Sequence, residues 1–313
     1  MNAAETGDEF EGDVIAAFGR QVIVRAAQES GRGEVRARPS GRKLVVVCGD
    51  RVRCEADRTH NEVLVVEVLP RRSLLARSSV RGDSEPVVAN ITQLVVVIAP
   101  VPLPDFFIVD RYLCAATSAG VMGAIAVNKS DLEDGSVVAG EIAALTATGY
   151  RHISCSAKIG SGLDELRTLL KGDVSVLVGQ SGVGKSSIVG ALLPDSDIAT
   201  GGLMREGEGR HTTTASRSYE LESGGTLIDS PGVRDFAPAV DRLDAKTLGF
   251  PEIQQRAGRC KFQDCKHLQE PGCAIIAAVA SGAMSARRYE SYRRLRRHYN
   301  DLVESRGHGN RRR

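Results

Sequence analysis

The 313-residue sequence contains no apolar run approaching the roughly 20 residues that a membrane-spanning helix needs. Its first twelve residues are acidic and have neither the basic start nor the apolar stretch of a secretion signal. Both absences point to a cytoplasmic protein with no membrane partner. The formal net charge is only +2, so no overall field steers the chain toward nucleic acid, and any such binding has to come from local clusters. No internal repeat is present. No Cys-x-x-Cys pair occurs, which argues against thiol redox chemistry, and seven cysteines make an odd number, which argues against a disulfide framework.

Hydrophobic residues at 42% and charged residues at 26% give ordinary globular composition, and 313 residues exceed what one core usually organises. We expect three modules between loose ends: a disordered N-terminus over 1–12, a barrel over 13–83, an α/β domain over 84–238, a helical domain over 239–304 and a basic disordered tail over 305–313. Short alternating segments at 21–25, 34–38, 44–47, 52–55 and 63–69, broken by turns such as Ser30-Gly31-Arg32-Gly33 and Gly49-Asp50, suit a five-stranded β-barrel of the OB type. Residues 20–85 carry 14 Lys and Arg against 9 Asp and Glu. Within that excess, Arg36, Arg38 and Lys43 are candidates for RNA contact, with a solvated surface as the plainer alternative.

From residue 84 the pattern changes to buried apolar runs separated by helical stretches, as in a doubly wound sheet covered on both faces. Strands are expected at 94–99, 123–127, 151–155, 174–178, 215–221 and 226–228, and helices at 105–119, 137–148, 162–170 and 185–193. Beyond residue 235 only helices are expected, at 243–255, 274–281 and 285–303.

The chemistry lies in the loops. Gly179-Gln180-Ser181-Gly182-Val183-Gly184-Lys185-Ser186, continued by Ser187, fits a phosphate-binding loop, with backbone N–H groups and a helix N-terminus converging on phosphate. Lys185 would neutralise β- and γ-phosphate oxygens, and the Ser186 hydroxyl would hold Mg²⁺ that accompanies the nucleotide. In Asn128-Lys129-Ser130-Asp131 the carboxylate can accept both the N1–H and the exocyclic N–H of guanine, a donor pair that adenine lacks. Ser156-Ala157-Lys158 follows the next strand and offers backbone N–H to guanine O6. Asp229-Ser230-Pro231-Gly232 positions a carboxylate for the magnesium water shell and a glycine N–H for γ-phosphate. Thr213, or failing it Thr212, would grip Mg²⁺ while γ-phosphate is present. The guanine-reading pair precedes the phosphate loop, so the order is circularly permuted. A doubly wound domain permits this because its termini lie close together.

Cys260, Cys265, His267 and Cys273 supply three thiolates and an imidazole, the donor set of one closed structural Zn²⁺ site. The other four cysteines, Cys48, Cys54, Cys114 and Cys155, read as buried small side chains. In the last helix Arg287, Arg293 and Arg297, interleaved with Tyr289, Tyr292 and Tyr299, could grip phosphates and stack on bases, unless they form a solvated face.

Together these motifs resemble the ribosome small subunit-dependent GTPase A family, over nearly the whole chain. The resemblance implies an OB-fold that touches 16S rRNA, GTP hydrolysis to GDP stimulated by the 30S subunit, and a role in late maturation of that subunit. It also points to His211 as a catalytic group, because Val233 follows Gly232 where many GTPases use a nearby glutamine to orient water, the alternatives being a His211 that only packs or contacts RNA and transition-state charge from Arg210 or a ribosomal partner. A GTPase switch serving a non-ribosomal partner, and an RNA-binding protein whose nucleotide only regulates affinity, are the competing readings. A monomer is expected.

Overall fold

Alternation of apolar and polar residues from Phe10 to Val68 builds a closed barrel in the computed structural model, which describes residues 9–57, 60–78, 84–132, 136–193, 216–230 and 238–309. Its strands are β1 (Phe10–Phe18), β2 (Gln21–Ala26), β3 (Glu34–Pro39), β4 (Arg51–Asp57) and β5 (Glu62–Val68). They pair in the order β1-β2-β3-β5-β4, and β4 returns to β1, closing the barrel around Phe10, Val14, Val24, Val52, Cys54 and Val65.

Two expectations for the barrel change. Residues 44–47 form no strand, because Asp50, fully buried, accepts the Val47 N–H and holds this stretch in a turn. The fifth strand is instead β1, which begins inside the segment expected to be disordered. Phe10 and Val14 face the core there, while Glu11 pairs with Arg51. The boundary expected at 83/84 also moves, since β6 (Leu74–Ser78) and β7 (Ser84–Ala89) pair with each other as a hairpin across it.

The α/β domain is assembled from β8 (Gln93–Ile98), α1 (Phe106–Ser118), β9 (Met122–Val127), α2 (Ser136–Ala147), β10 (Arg151–Ser154), α3 (Leu163–Leu170), β11 (Val174–Val178), α4 (Lys185–Leu192), β12 (Ser216–Glu220) and β13 (Thr226–Asp229). Period-two alternation sends Leu94, Val96 and Ile98 of β8 to one face, against Val109, Tyr112 and Leu113 of α1 and Leu145 of α2. Val95 and Val97 face the opposite layer, against Leu166 and Leu169 of α3 and Ile188 of α4. β8 and β11 lie side by side and parallel in the order β10-β9-β8-β11-β13-β12. Strands before and after this pair wind outward in opposite directions, so the crevice at their carboxyl ends is the topological switch point where such sheets bind ligands.

Among the described residues the sheet does not stop at this domain. β12 pairs antiparallel with barrel strand β1, joining barrel and α/β domain into one eleven-stranded sheet. No described helix is long and apolar enough to cross a membrane.

The C-terminal module contains α5 (Pro251–Gln254), α6 (Ala274–Ala280) and α7 (Ala286–Gly309). The helix expected over 243–255 shrinks to α5, because Leu248 and Gly249 both take positive φ and a Cβ at Gly249 would lie 2.2 Å from the Cys114 carbonyl oxygen. In the other direction, α7 runs through residue 309, into the tail expected to be disordered from residue 305. The module core of Phe250, Ile253, Ile275, Tyr292 and Leu295 also takes in Cys114 from α1.

Candidate functional site

The loop after β11 turns sharply at Gly179, where φ is +142° and a Cβ would stand 2.2 Å from the Val97 carbonyl oxygen. Only glycine lets the chain leave the sheet this close to β8. The loop runs through Ser181, Gly182 and buried Val183 to Gly184, and α4 opens on Lys185, Ser186 and Ser187. The Lys185 ammonium folds back over the loop and donates to the carbonyls of Gly179 at 2.6 Å and Gln180 at 2.7 Å.

The segment after β9 meets this loop directly, although 51 positions separate Asn128 from Gly179 in the chain. Asn128, 2% exposed, donates from Nδ2 to the Val183 carbonyl at 2.9 Å and accepts the Ala157 N–H on Oδ1 at 3.1 Å. One amide thus clamps the Gly179 loop, the Asn128 segment and the Ser156-Ala157-Lys158 turn. Gly184 makes room for it, since a Cβ there would come within 2.3 Å of Asn128 Nδ2. Lys129 donates to the carbonyls of Gly182 and Val101, each at 2.8 Å, and Ser130 N–H donates to the Cys155 carbonyl. The Ser156 hydroxyl donates to Asp131 Oδ1 at 2.6 Å, and this bond above all holds the Asp131 carboxyl below its usual pKa, ready to accept hydrogen bonds at neutral pH.

Asp229 closes β13, beside β11, and its neighbour Ser230 is 2% exposed. Ser186 and Asp229 are oxygen donors of the kind a magnesium ion takes. His211, Thr212, Thr213 and Gly232 lie outside the described residues.

Sequence reasoning overlooked the stretch Ala99-Pro100-Val101-Pro102-Leu103-Pro104-Asp105. It packs against the phosphate-type loop, with Lys129 on the Val101 carbonyl and Gln180 Oε1 accepting the Asp105 N–H at 3.0 Å. Asp105 in turn caps α1 by accepting the Phe107 N–H. The signal was available, because three prolines at alternate positions cannot extend β8 and force a turn beside the sheet's carboxyl edge.

A second cluster lies in the C-terminal module. The ligand atoms of Cys260, Cys265, His267 and Cys273 all fall within 4.8 Å of one another, and His267 Nδ1 is 3.5 Å from the sulfurs of both Cys260 and Cys273. A sulfur about 2.3 Å and a nitrogen about 2.0–2.1 Å from a shared ion at a tetrahedral angle would stand about 3.5 Å apart, so the residues fit a four-coordinate metal. Burial, then the Arg296 charge, lowers the His267 pKa and keeps the imidazole neutral, as a ligand must be. Burial, then the adjoining thiols, pushes Cys265 up to about 12. The remaining cysteines are buried, and burial raises Cys48 to about 12 and Cys54 and Cys155 to about 11, leaving them neutral and unreactive.

Of the residues considered for RNA contact, Arg36 and Arg38 point outward from β3 and Lys43 is exposed in the loop beyond it, with Arg38 paired to Glu62. Arg297 is exposed on α7, and Arg293 pairs with Glu290. Arg287 departs from expectation. Its guanidinium holds Asp110 and Glu141 and lies over the Phe106 ring, so its charge is already neutralised within the protein. The tyrosines turn inward too, with Tyr289 donating to the His267 carbonyl and Tyr292 to that of Lys266.

Known proteins resemble this chain in sequence and in fold. The model of the RsgA GTPase family matches residues 68–238. The chain is 43% identical to the small ribosomal subunit biogenesis GTPase RsgA of Azotobacter vinelandii, over 94% of this chain and 87% of that protein, and 44% identical to its Pseudomonas aeruginosa counterpart with the same coverage. Among solved structures, YjeQ from Thermotoga maritima superposes with a TM-score of 0.69 at 27% identity, covering 94% of this chain and 99% of that one. YloQ, described as a circularly permuted GTPase, also gives 0.69, at 25% identity and covering 96% and 98%. On a family match spanning more than half its length and on relatives above 40% identity over nearly all of it, this chain belongs to the RsgA GTPase family, a family of GTP hydrolases.

Proposed function

We propose that the protein hydrolyses GTP to GDP and phosphate during late maturation of the small ribosomal subunit, as a cytoplasmic monomer that contacts 16S rRNA and is stimulated by the 30S particle. The observation that carries the chemical half is the Asn128 clamp, which brings the Asp131 carboxylate and the Lys185 loop to one crevice. The biological half rests on the relatives named as small ribosomal subunit biogenesis GTPases.

In this reading Asp131 accepts the guanine N–H pair, the Ala157 and Lys158 turn meets O6, and Lys129 lies along the base. The backbone N–H groups from Gly179 to Lys185, with Ser186 and Ser187, cradle the phosphates. Lys185 leaves the Gly179 and Gln180 carbonyls to hold β- and γ-oxygens. The Ser186 hydroxyl, Asp229 and Thr213 or Thr212 would hold Mg²⁺, which neutralises charge building on the phosphates. Water attacks the γ-phosphorus as the bond to the bridging oxygen breaks, with His211 proposed to orient that water and the Gly232 N–H to meet γ-phosphate.

The Cys260, Cys265, His267 and Cys273 cluster would hold one structural Zn²⁺. Four protein ligands leave no open position for chemistry, so the ion's binding energy goes into folding the module. RNA contact falls to Arg36, Arg38 and Lys43 on the barrel and to Arg293 and Arg297 on α7.

The test is phosphate release from GTP and from ATP, with and without purified 30S subunits. Hydrolysis of GTP alone, rising on addition of subunits, is expected. Preference for ATP would overturn the guanine assignment, and GTP hydrolysis indifferent to 30S would favour a switch serving another partner.

A further inference from the structure

β12 and β13 are antiparallel, and their last backbone register pair is Arg217 with Asp229. One step beyond it, where the ladder has ended, the Ser216 and Ser230 hydroxyls lie 2.6 Å apart, and Ser230 is 2% exposed. A hydroxyl buried this fully needs its partner, and here the partner is a side chain from the other strand. The chain positions on either side carry the chemistry. Ser230 directly follows Asp229, and Ser216 comes three residues after Thr213.

Ser216 is itself anchored from the opposite edge. Barrel strand β1 pairs with β12 at Ala17↔Ser216 and Ala16↔Arg217, the Ser218 hydroxyl donates to the Ile15 carbonyl, and Arg25 of β2 reaches Glu220 at 2.8 Å. The hydroxyl pair therefore ties the end of β13 to a strand that the barrel holds in place.

We propose that Ser216 and Ser230 are positioning residues for GTP hydrolysis, their paired hydroxyls setting the Asp229 carboxylate against the strand that follows the magnesium-gripping threonines. The pair acts by keeping the ends of β12 and β13 in register after the backbone ladder has ended. The proposal rests on reading Asp229 as a magnesium-shell carboxylate, and it makes β12 a mechanical link between that carboxylate and the barrel.

The experiment titrates Mg²⁺ against binding of a fluorescent non-hydrolysable GTP analogue, for the full chain and for Ser216→Ala, Ser230→Ala, the double variant, Ser216→Thr and Asp229→Asn. Affinity for fluorescent GDP in EDTA is measured alongside. Each alanine variant is expected to raise the Mg²⁺ concentration for half-maximal binding about three- to tenfold, in line with loss of one buried hydrogen bond. GDP affinity in EDTA should stay at the parent value, the double variant should be no worse than either single one, and Ser216→Thr should behave as the parent. An unchanged Mg²⁺ requirement in the alanine variants, while Asp229→Asn raises it, would overturn the positioning role. So would effects that multiply in the double variant, or an equal loss of GDP affinity in EDTA, which would mark a general structural defect. If Asp229→Asn leaves the Mg²⁺ requirement unchanged, the reading of Asp229 fails, and the proposal fails with it.

Discussion

A single carboxamide ties together the three loops of the proposed nucleotide site. Asn128 uses both ends of its side chain, one on Val183 and one on Ala157, so Asn128→Ala strands a buried carbonyl and a half-buried N–H at once. Each stranded group costs about 1–3 kcal/mol, about 2–6 kcal/mol for the two together, and fluorescent GDP titration should therefore show affinity falling by at least about an order of magnitude. An unchanged dissociation constant would mean the three loops hold together without it. Asp131→Asn tests a separate matter, since it keeps the shape but replaces one acceptor oxygen with a donor that opposes the guanine N–H groups. GTP affinity should drop while Lys185 and its loop remain competent, which competition with xanthosine triphosphate would reveal as a gain for that base. Asn128 and Asp131 were both legible in the sequence as parts of one motif. That Asn128 also reaches the phosphate-type loop was not, because a hydrogen bond across 55 positions leaves no local trace.

At the scale of elements, α1 serves two cores. Its Leu113 and Tyr112 cover the sheet, and its other face presents Asp110 and Cys114 to the C-terminal module. Asp110, fully buried, accepts hydrogen bonds from Arg287 and from Arg288, and Arg288, also fully buried, holds Glu252 at 2.7 Å. Removing one partner of such a group leaves uncompensated charge in the interior. Arg288→Ala should cost about 3–5 kcal/mol in denaturant unfolding of the module, whereas a loss under 1 kcal/mol would show that water enters and relieves the network.

The segment 260–273 is braced by Glu270, whose carboxylate accepts the N–H groups of Lys266, Leu268 and Gln269 and is held down to about 2 against an ordinary 4.5, those backbone bonds outweighing its burial. A depressed carboxyl stabilises the fold above its unfolded pKa and loses that contribution as pH falls. Glu270→Gln should therefore cost about 1–3 kcal/mol at pH 7, and its deficit relative to the parent should close between pH 4.5 and pH 2. Loss of metal in acid affects both proteins and drops out of the comparison. Chelation at neutral pH should unfold the segment around Cys260 and Cys273 while the central sheet keeps its circular dichroism signal, because the sheet's two apolar layers do not depend on that segment.

For the whole molecule, the shared sheet means that barrel and α/β domain are not beads on a linker. Deleting residues 1–69 would strip β1 from β12 and expose an unpaired strand edge. The shortened chain should self-associate more than the intact chain in sedimentation or size-exclusion measurements. A shortened chain that stays monomeric and melts as before would show that the β1–β12 pairing contributes little.

The sequence by itself determined the nature of each part. Apolar runs with period two and the glycines and lysine of the loops specify a parallel sheet with a phosphate cradle, because side-chain alternation and positive-φ turns are local properties. Three cysteines and a histidine within fourteen residues likewise supply a donor set that can hold a metal. Tertiary structure alone decided how the parts share material. The last residues of the stretch expected to be disordered became the start of the strand that closes the barrel and extends the sheet, the arginines expected to face RNA on α7 divided between solvent and a buried ionic core, and α1 became common to two modules. Each of these outcomes depends on which distant surface comes to lie opposite a residue. Charge and hydrophobicity read along the chain describe what a side chain needs, and only the packed fold supplies the partner that meets it.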